Sequence, residues 1–397
     1  MTESYAHPGR WNDAFLNETS QHGDTIAEMA LTSMLRDGEI GRIEEAFAKL
    51  NTNDHIPSQE IFPSLSAFCS ATHHLPDHVD LSRIARAEQL FIANAFPIVL
   101  ILLSKSLPEG YSAPNLSIVL NLSGNLRKHP YHRLLSVLQM VLNVASIGGF
   151  EHGGSAIVTA QKVRLLHAGI RHIVNERMPD YRERFGVPVN LEDMLATVMG
   201  FSYLVIIGMR TMHCRLRPEE EEDVLYLWRV FALLCGIHPP GEATSMAWIP
   251  DSVDDAGRFY TAYARRHYVA ASENPDGVAL TQSNLSMLRD MLPTWLRVLG
   301  FGIAPRMYMQ HLVGIEGCRR VGVAPLPGHR VLKTFLELIP YVLYRISRFN
   351  SISEQGPRVH RHHVISRVLF QHLIDNAFGH AVTFTVPVSI KDFHKMV

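Results

Sequence analysis

Residues 159–178 read TAQKVRLLHAGIRHIVNERM. Val163, Leu166, His167 and Ile170 recur at steps of three and four, the period of a helix with one face turned to a core. Twenty residues without a proline leave room for about five turns. Reading outward, the same texture returns in NLSIVLNLSGNL (115–126), RLLSVLQMVLNVAS (133–146) and LEDMLATVMGFSYLVIIGMRTM (191–212). Breaks fall at Gly124, Pro130, Gly148-Gly149, Gly153-Gly154 and Pro188, residues that end or bend helices.

The flanks continue the pattern. TIAEMALTSMLRDGEIGRIEEAFAKL (25–50) predicts two amphipathic helices punctuated at Asp37-Gly38, and NTNDHIPSQEIFPSL behaves as a loop. Asp80 is an N-cap candidate before a periodic run, and FIANAFPIVLILLS (91–104), too short for a bilayer span, reads as a buried helix containing Pro97. In RPEEEEDVLYLWRVFALLCG (217–236), Pro218 suits a first turn, the acids complement the helix dipole, and Gly236 can close the helix, so no metal is needed to explain the acidic run. Helical texture persists through MLRDMLPTWLRVLGFG and GHRVLKTFLELIPYVLYRISRF, and only the tail HAVTFTVPVSI alternates like a strand. The expectation is an all-α fold with an N-terminal arm and helical extension (1–79), a core (80–260) and a C-terminal helical extension (261–397) packed as one unit with the core. Residues 1 to 20 read as an irregular lead-in.

At 397 residues and 47% apolar composition the chain can bury a large core. A net charge of −1 leaves no global field to draw nucleic acid or an anionic membrane. Cys69, Cys214, Cys235 and Cys318 are scattered, without the pairing of a small secreted scaffold. No secretory signal or transmembrane helix is evident, so a cytoplasmic location is expected. No phosphate loop or dinucleotide fingerprint occurs in strand-to-helix context. RVHRHHV (358–364) lacks the Cys or carboxylate that would complete a metal set and reads as a solvated face or loop. His129 and His132, near the start of the 133–146 helix, read as surface-loop residues with pocket positions as the alternative.

With about 100° per residue, Arg164 lies about 60° and Arg171 about 40° to the same side of His167, while His172 points about 140° away. His167 is either a hydrogen-bonded core residue or a ligand. The flanking guanidiniums either reach solvent or need anions, and their own helix offers no acid before Glu176. A haem would supply an iron for the imidazole and two propionates for the cations.

The ordered motifs LNLSGNLRKHPYHRLLSVLQMV, KVRLLHAGIRH, GVPVNLEDMLATVMGFSYLVIIGM and EEEDVLYLWRVFALLCGI resemble the catalytic domain of bacterial latex-clearing proteins (rubber oxygenases) and fungal mycophenolic-acid farnesyl-cleaving oxygenases. The resemblance spans roughly residues 80 to 260. It implies a globin-like helical core around haem b, with His167 as proximal iron ligand, Arg164 and Arg171 beside it, and Arg133 opening the distal helix. Thr197 and Phe201 match positions that can reach the pocket, and Ser136 is the polar candidate for contact with bound dioxygen. The implied activity is that of a haem-dependent oxygenase on an apolar, isoprenoid or other alkene-containing small molecule, with oxidative C=C cleavage as the family outcome. Two departures matter. The rubber oxygenases carry R-x-x-K-T where this chain reads Arg133-Leu134-Leu135-Ser136-Val137, and residues 111–150 contain no Asp or Glu to serve as their base. These losses leave epoxidation or hydroxylation open, and also a haem- or ligand-binding sensor or carrier that keeps only the proximal site. A third reading is a helical interaction protein with a structural His167.

Overall fold

A computed structural model describes residues 9–122, 130–292 and 294–326, with 338, 341, 342 and 345; the side chains of 122 and 130–135 lie outside that description. Among the described residues every regular element is helical, so the chain is all-α. The alternating tail, RVHRHHV and His129 fall outside the described residues.

The first group of helices is α1 (Asp13–Ser20), α2 (Thr25–Arg36), α3 (Ile43–Lys49) and α4 (Pro63–Ala71). Next come α5 (Leu81–Ala93), α6 (Ala95–Ile101), a π-helical turn at Leu102–Ser106, α7 (Leu107–Gly110) and α8 (Pro114–Leu122). The centre holds α9 (Pro130–Ala145), α10 (Ala156–Arg177), α11 (Tyr181–Phe185), α12 (Leu191–Phe201), α13 (Tyr203–Thr211) and α14 (Pro218–Leu234). The last are α15 (Val253–His267), α16 (Pro275–Asp290), α17 (Thr294–Val298) and α18 (Ala304–Arg320).

Two expectations are corrected. The lead-in is not irregular throughout: Asn12 caps α1, its side chain accepting from the Phe15 amide, and Trp11 and Leu16 are buried. Trp11 Nε1 donates to Asp255 on α15 at 2.8 Å, a tertiary contact that no local period announces. The run 91–104 is not one helix. The chain bends by 85° between α5 and α6, and Pro97 in the first turn of α6 has no N–H to carry the α5 ladder across Asn94.

Asp80 caps α5 as its sequence suggests, accepting from the Ser82 and Arg83 amides. Pro218 opens α14 and Gly236 follows its end at φ 86°. The acids of α14 do more than complement a dipole. Asp223 meets Arg83 (2.8 Å) and Arg86 (2.6 Å) from α5, and Glu221 meets Arg210 from α13.

The main core runs in sequence from Trp11 to Leu312. A second cluster joins α2, α3 and α4 to one side of α10 through Val158, Leu165 and Ala168. Ala156, Ile157 and Ala160 face the main core, so α10 lies between the two clusters. Leu191–Thr211, which is α12 and α13, is long and apolar enough to cross a bilayer, and 67% of its apolar window is buried inside the protein. That burial accounts for its composition as core. All four cysteines are buried free thiols.

Candidate functional site

The loop between α9 and α10, residues 146–155, joins the two helices in a close-packed turn. Gly148 (φ 72°) and Gly153 (φ 77°) take left-handed conformations, and a Cβ on Gly154 would lie 2.2 Å from the Gly148 carbonyl oxygen. Glu88 of α5 accepts from the Gly148 and Gly149 amides at 2.8 and 3.0 Å. Asn143 of α9 donates to Thr159 of α10 at 3.2 Å, locking the two helices near that loop.

Coverage falls along both helices away from the loop. On α10, residues 156–162 are buried, whereas Val163, Leu166, His167, Gly169 and Ile170 are only half-buried. On α9, residues 140–142, 144 and 145 are buried, whereas Ser136, Val137 and Gln139 are half-buried. The imidazole therefore sits on an apolar face that its neighbours incompletely cover. Arg133 occupies the first turn of α9, and its side chain, like that of His132, lies outside the described residues.

The two arginines have different surroundings. Arg164 donates through Nε and Nη2 to both carboxylate oxygens of Asp24, at 2.6 and 2.8 Å, and through Nη1 to the Leu234 carbonyl at 3.4 Å. Burial works to raise the Asp24 pKa, but the Arg164 bond prevails and holds it below its ordinary value. The anion that the sequence of α10 lacks thus comes, for Arg164, from the N-cap of α2. Arg171 is 2% exposed, and its Nε and Nη1 are buried without a hydrogen-bond partner. Glu28 approaches Nε at 3.3 Å, and Nη2 contacts the Met194 sulfur at 3.8 Å. Arg171 is thus a buried cation whose one nearby carboxylate, Glu28, makes an ion pair but no hydrogen bond.

Thr197 is exposed on α12, its hydroxyl donating to the Asp193 carbonyl at 2.8 Å. Phe201 stacks on Trp228 at 5.1 Å and 22°. Both rings line a small apolar pocket with Phe91, Ile98, Ala145 and Leu227, and His167 is not among its lining residues. The structure thus brings Phe201 to that pocket and Thr197 to the surface.

The acids nearest upstream of 111–150 are engaged. Glu109 pairs with Lys105 and accepts from Tyr260, and Glu88 holds the α9–α10 loop. Burial pushes the Glu88 carboxyl up to about 7. The segment P-V-N-L-E-D is a buried polar junction. Asn190 caps α12 by accepting from the Asp193 amide at 2.9 Å, and Tyr263 donates to the Asp193 carboxylate at 3.0 Å, with Asn115 donating to the same oxygen. Glu192 lies 2.7 Å from His267. An Asn ahead of an acidic first turn is a local signal for that cap that the sequence reading missed, whereas Asn115, Tyr263 and His267 stand 70 or more residues away and carry no local signal. Among the described residues no group of three His, Cys, Asp or Glu side chains could hold a metal ion.

The family described as the catalytic domain of ER-bound oxygenase mpaB/B′ and rubber oxygenase matches residues 92–361, and the chain belongs to that family of oxygenase enzymes. The rubber oxygenase of Streptomyces sp. (strain K30) is 22% identical over 371 residues, 85% of this chain and 86% of that protein. A solved structure of latex clearing protein LCP in the closed state shares the fold with a TM-score of 0.69 at 18% identity, covering 90% of this chain and 91% of that one.

Proposed function

We propose that this oxygenase depends on haem b held by His167 and acts with dioxygen on an apolar small molecule carrying a C=C bond, an isoprenoid in the leading case. The supporting observation is the incompletely covered face of α10, where a half-buried imidazole stands among half-buried aliphatic residues inside the region that matches the family. The residues present fit the group: His167 offers an imidazole, and Arg171 offers a buried cation whose Nη1 has no hydrogen-bond partner and whose Nε has only the Glu28 carboxylate at 3.3 Å. A haem bound there supplies dioxygen activation, chemistry that protein side chains do not provide.

The chain's own residues perform the remaining tasks. His167 would hold the iron of the group, and Arg171 would offer its cation to a carboxylate of it. Arg164, saturated by Asp24 and Leu234, acts by positioning α10 against α2 and α14. Arg133 and Ser136 on α9 are the polar residues proposed for the opposite side. Phe201 is assigned to the pocket side of α12, where its stack on Trp228 offers an apolar wall to the substrate, whereas the exposed Thr197 is given no part in the pocket. Because Glu88 and Glu109 hold structural partners, no carboxylate from that part of the chain is assigned as base.

The test is an absorption spectrum of protein purified with haem supplied, beside His167→Ala. A Soret band in the parent, lost or strongly shifted in the variant, is the expected result, and absence of haem uptake by both refutes the assignment. Oxygen consumption with a panel of isoprenoid alkenes then separates turnover from carriage, since a carrier binds without consuming oxygen.

A further inference from the structure

The near-neutral chain conceals a local imbalance. Between residues 289 and 348 there are nine Lys and Arg against three Asp and Glu, and residues 291–315 contain no acid while including Arg297 and Arg306. The same stretch carries the most exposed apolar surface of the described residues. Trp295 is 63%, Leu299 66% and Val298 80% exposed, and Phe301 and Ile303 are exposed as well. They lie on α17 and the 3₁₀ turn Phe301–Ile303, neither of which has a buried residue, and Gly300 at φ 91° turns the chain between them. None of the five belongs to a core cluster. Trp11 and Trp228 are buried and Trp248 is half-buried, so Trp295 is the one tryptophan committed to the surface.

We propose that residues 295–303 form a docking surface for an anionic lipid bilayer. Trp295, Leu299 and Phe301 enter the boundary between headgroups and acyl chains, and Arg297, together with the half-buried Arg306 whose guanidinium donates to the Ala324 carbonyl at 3.2 Å, brings positive charge beside lipid phosphates. Aromatic and aliphatic side chains beside cations match that boundary, where an amphipathic ring and a basic group are both satisfied. Charge selects lipid over a second copy of the chain. A symmetric self-contact would bring two copies of Arg297 and Arg306 into one interface with no acid between 291 and 315 to neutralise them; Asp290 lies at the edge, 3.4 Å from Arg297. The inference stands apart from the haem assignment, since none of these residues contributes to that site.

The experiment is vesicle co-sedimentation of the full chain with phosphatidylcholine alone and with phosphatidylserine added, combined with quenching by lipids brominated on the acyl chain. Binding should be roughly tenfold tighter with phosphatidylserine and weaken with salt. Tryptophan quenching should disappear in Trp295→Phe while binding persists. Leu299→Ser with Phe301→Ser should abolish binding at an unchanged melting temperature, because neither side chain is buried in the fold. No binding to either vesicle overturns the proposal, as does binding without Trp295 quenching. Concentration-dependent self-association that the double variant removes, without lipid binding, assigns the patch to a second copy and overturns it equally.

Discussion

Two arginines four and three residues from one histidine look alike on a helical wheel, yet the fold gives them opposite circumstances. Arg164 is matched by Asp24 across 140 residues with two hydrogen bonds, whereas Arg171 has Glu28 at 3.3 Å and no hydrogen bond from Nε or Nη1. Asp24→Asn should therefore cost about 3–5 kcal/mol of stability by stranding a buried guanidinium, read in a denaturant titration. A loss below about 1 kcal/mol would show that Arg164 finds another anion. Asp193 offers a test by pH. Burial pushes its carboxyl up to about 7, despite the Tyr263 and Asn115 bonds and nearby His267, while Glu192 pushes the same way. A carboxyl raised from about 4 stabilises the fold fully while protonated, below about pH 4, and loses that contribution as pH rises through about 7. The stability advantage of the parent over Asp193→Asn should accordingly shrink between about pH 5 and about pH 8. A melting-temperature difference that stays constant over that range contradicts the buried titration.

At the scale of elements, the glycine pairs at 148–149 and 153–154 announced a break, and the structure assigns the break a task. The turn packs so closely that a Cβ on Gly154 would strike the backbone oxygens of Gly148 and Gly149 at 2.2 and 2.4 Å. Gly154→Ala should destabilise by about 2–3 kcal/mol, because backbone rather than a flexible side chain must move. It should also loosen α9 against α10, visible as faster amide exchange around Asn143 and Thr159. Wild-type exchange there would argue that the helices are held by packing alone. The break at Asn94 was hidden because the apolar run passes straight through it, and hydropathy does not register a change of direction.

Across the whole molecule, the N-terminal residues prove integral to the main core. Trp11 packs edge-on against Phe15 and Phe259 at 5.0 and 5.2 Å and is 7% exposed. Trp11→Ala should cost about 3–5 kcal/mol, measured as a lowered denaturation midpoint. An unchanged midpoint would make the segment an appendage. The helical period, the cap at Asp80, the glycine breaks and the motif around His167 were all readable along the chain, because each depends on residues within a turn or two. Family membership followed from the same local strings. The partners of Arg164, Asp193 and Trp11 were settled only by tertiary packing, since electrostatic and van der Waals neighbours form where helices meet, without regard to distance along the sequence. So was the partial cover of His167, which depends on how α9 and α10 are joined at one end and left less enclosed at the other.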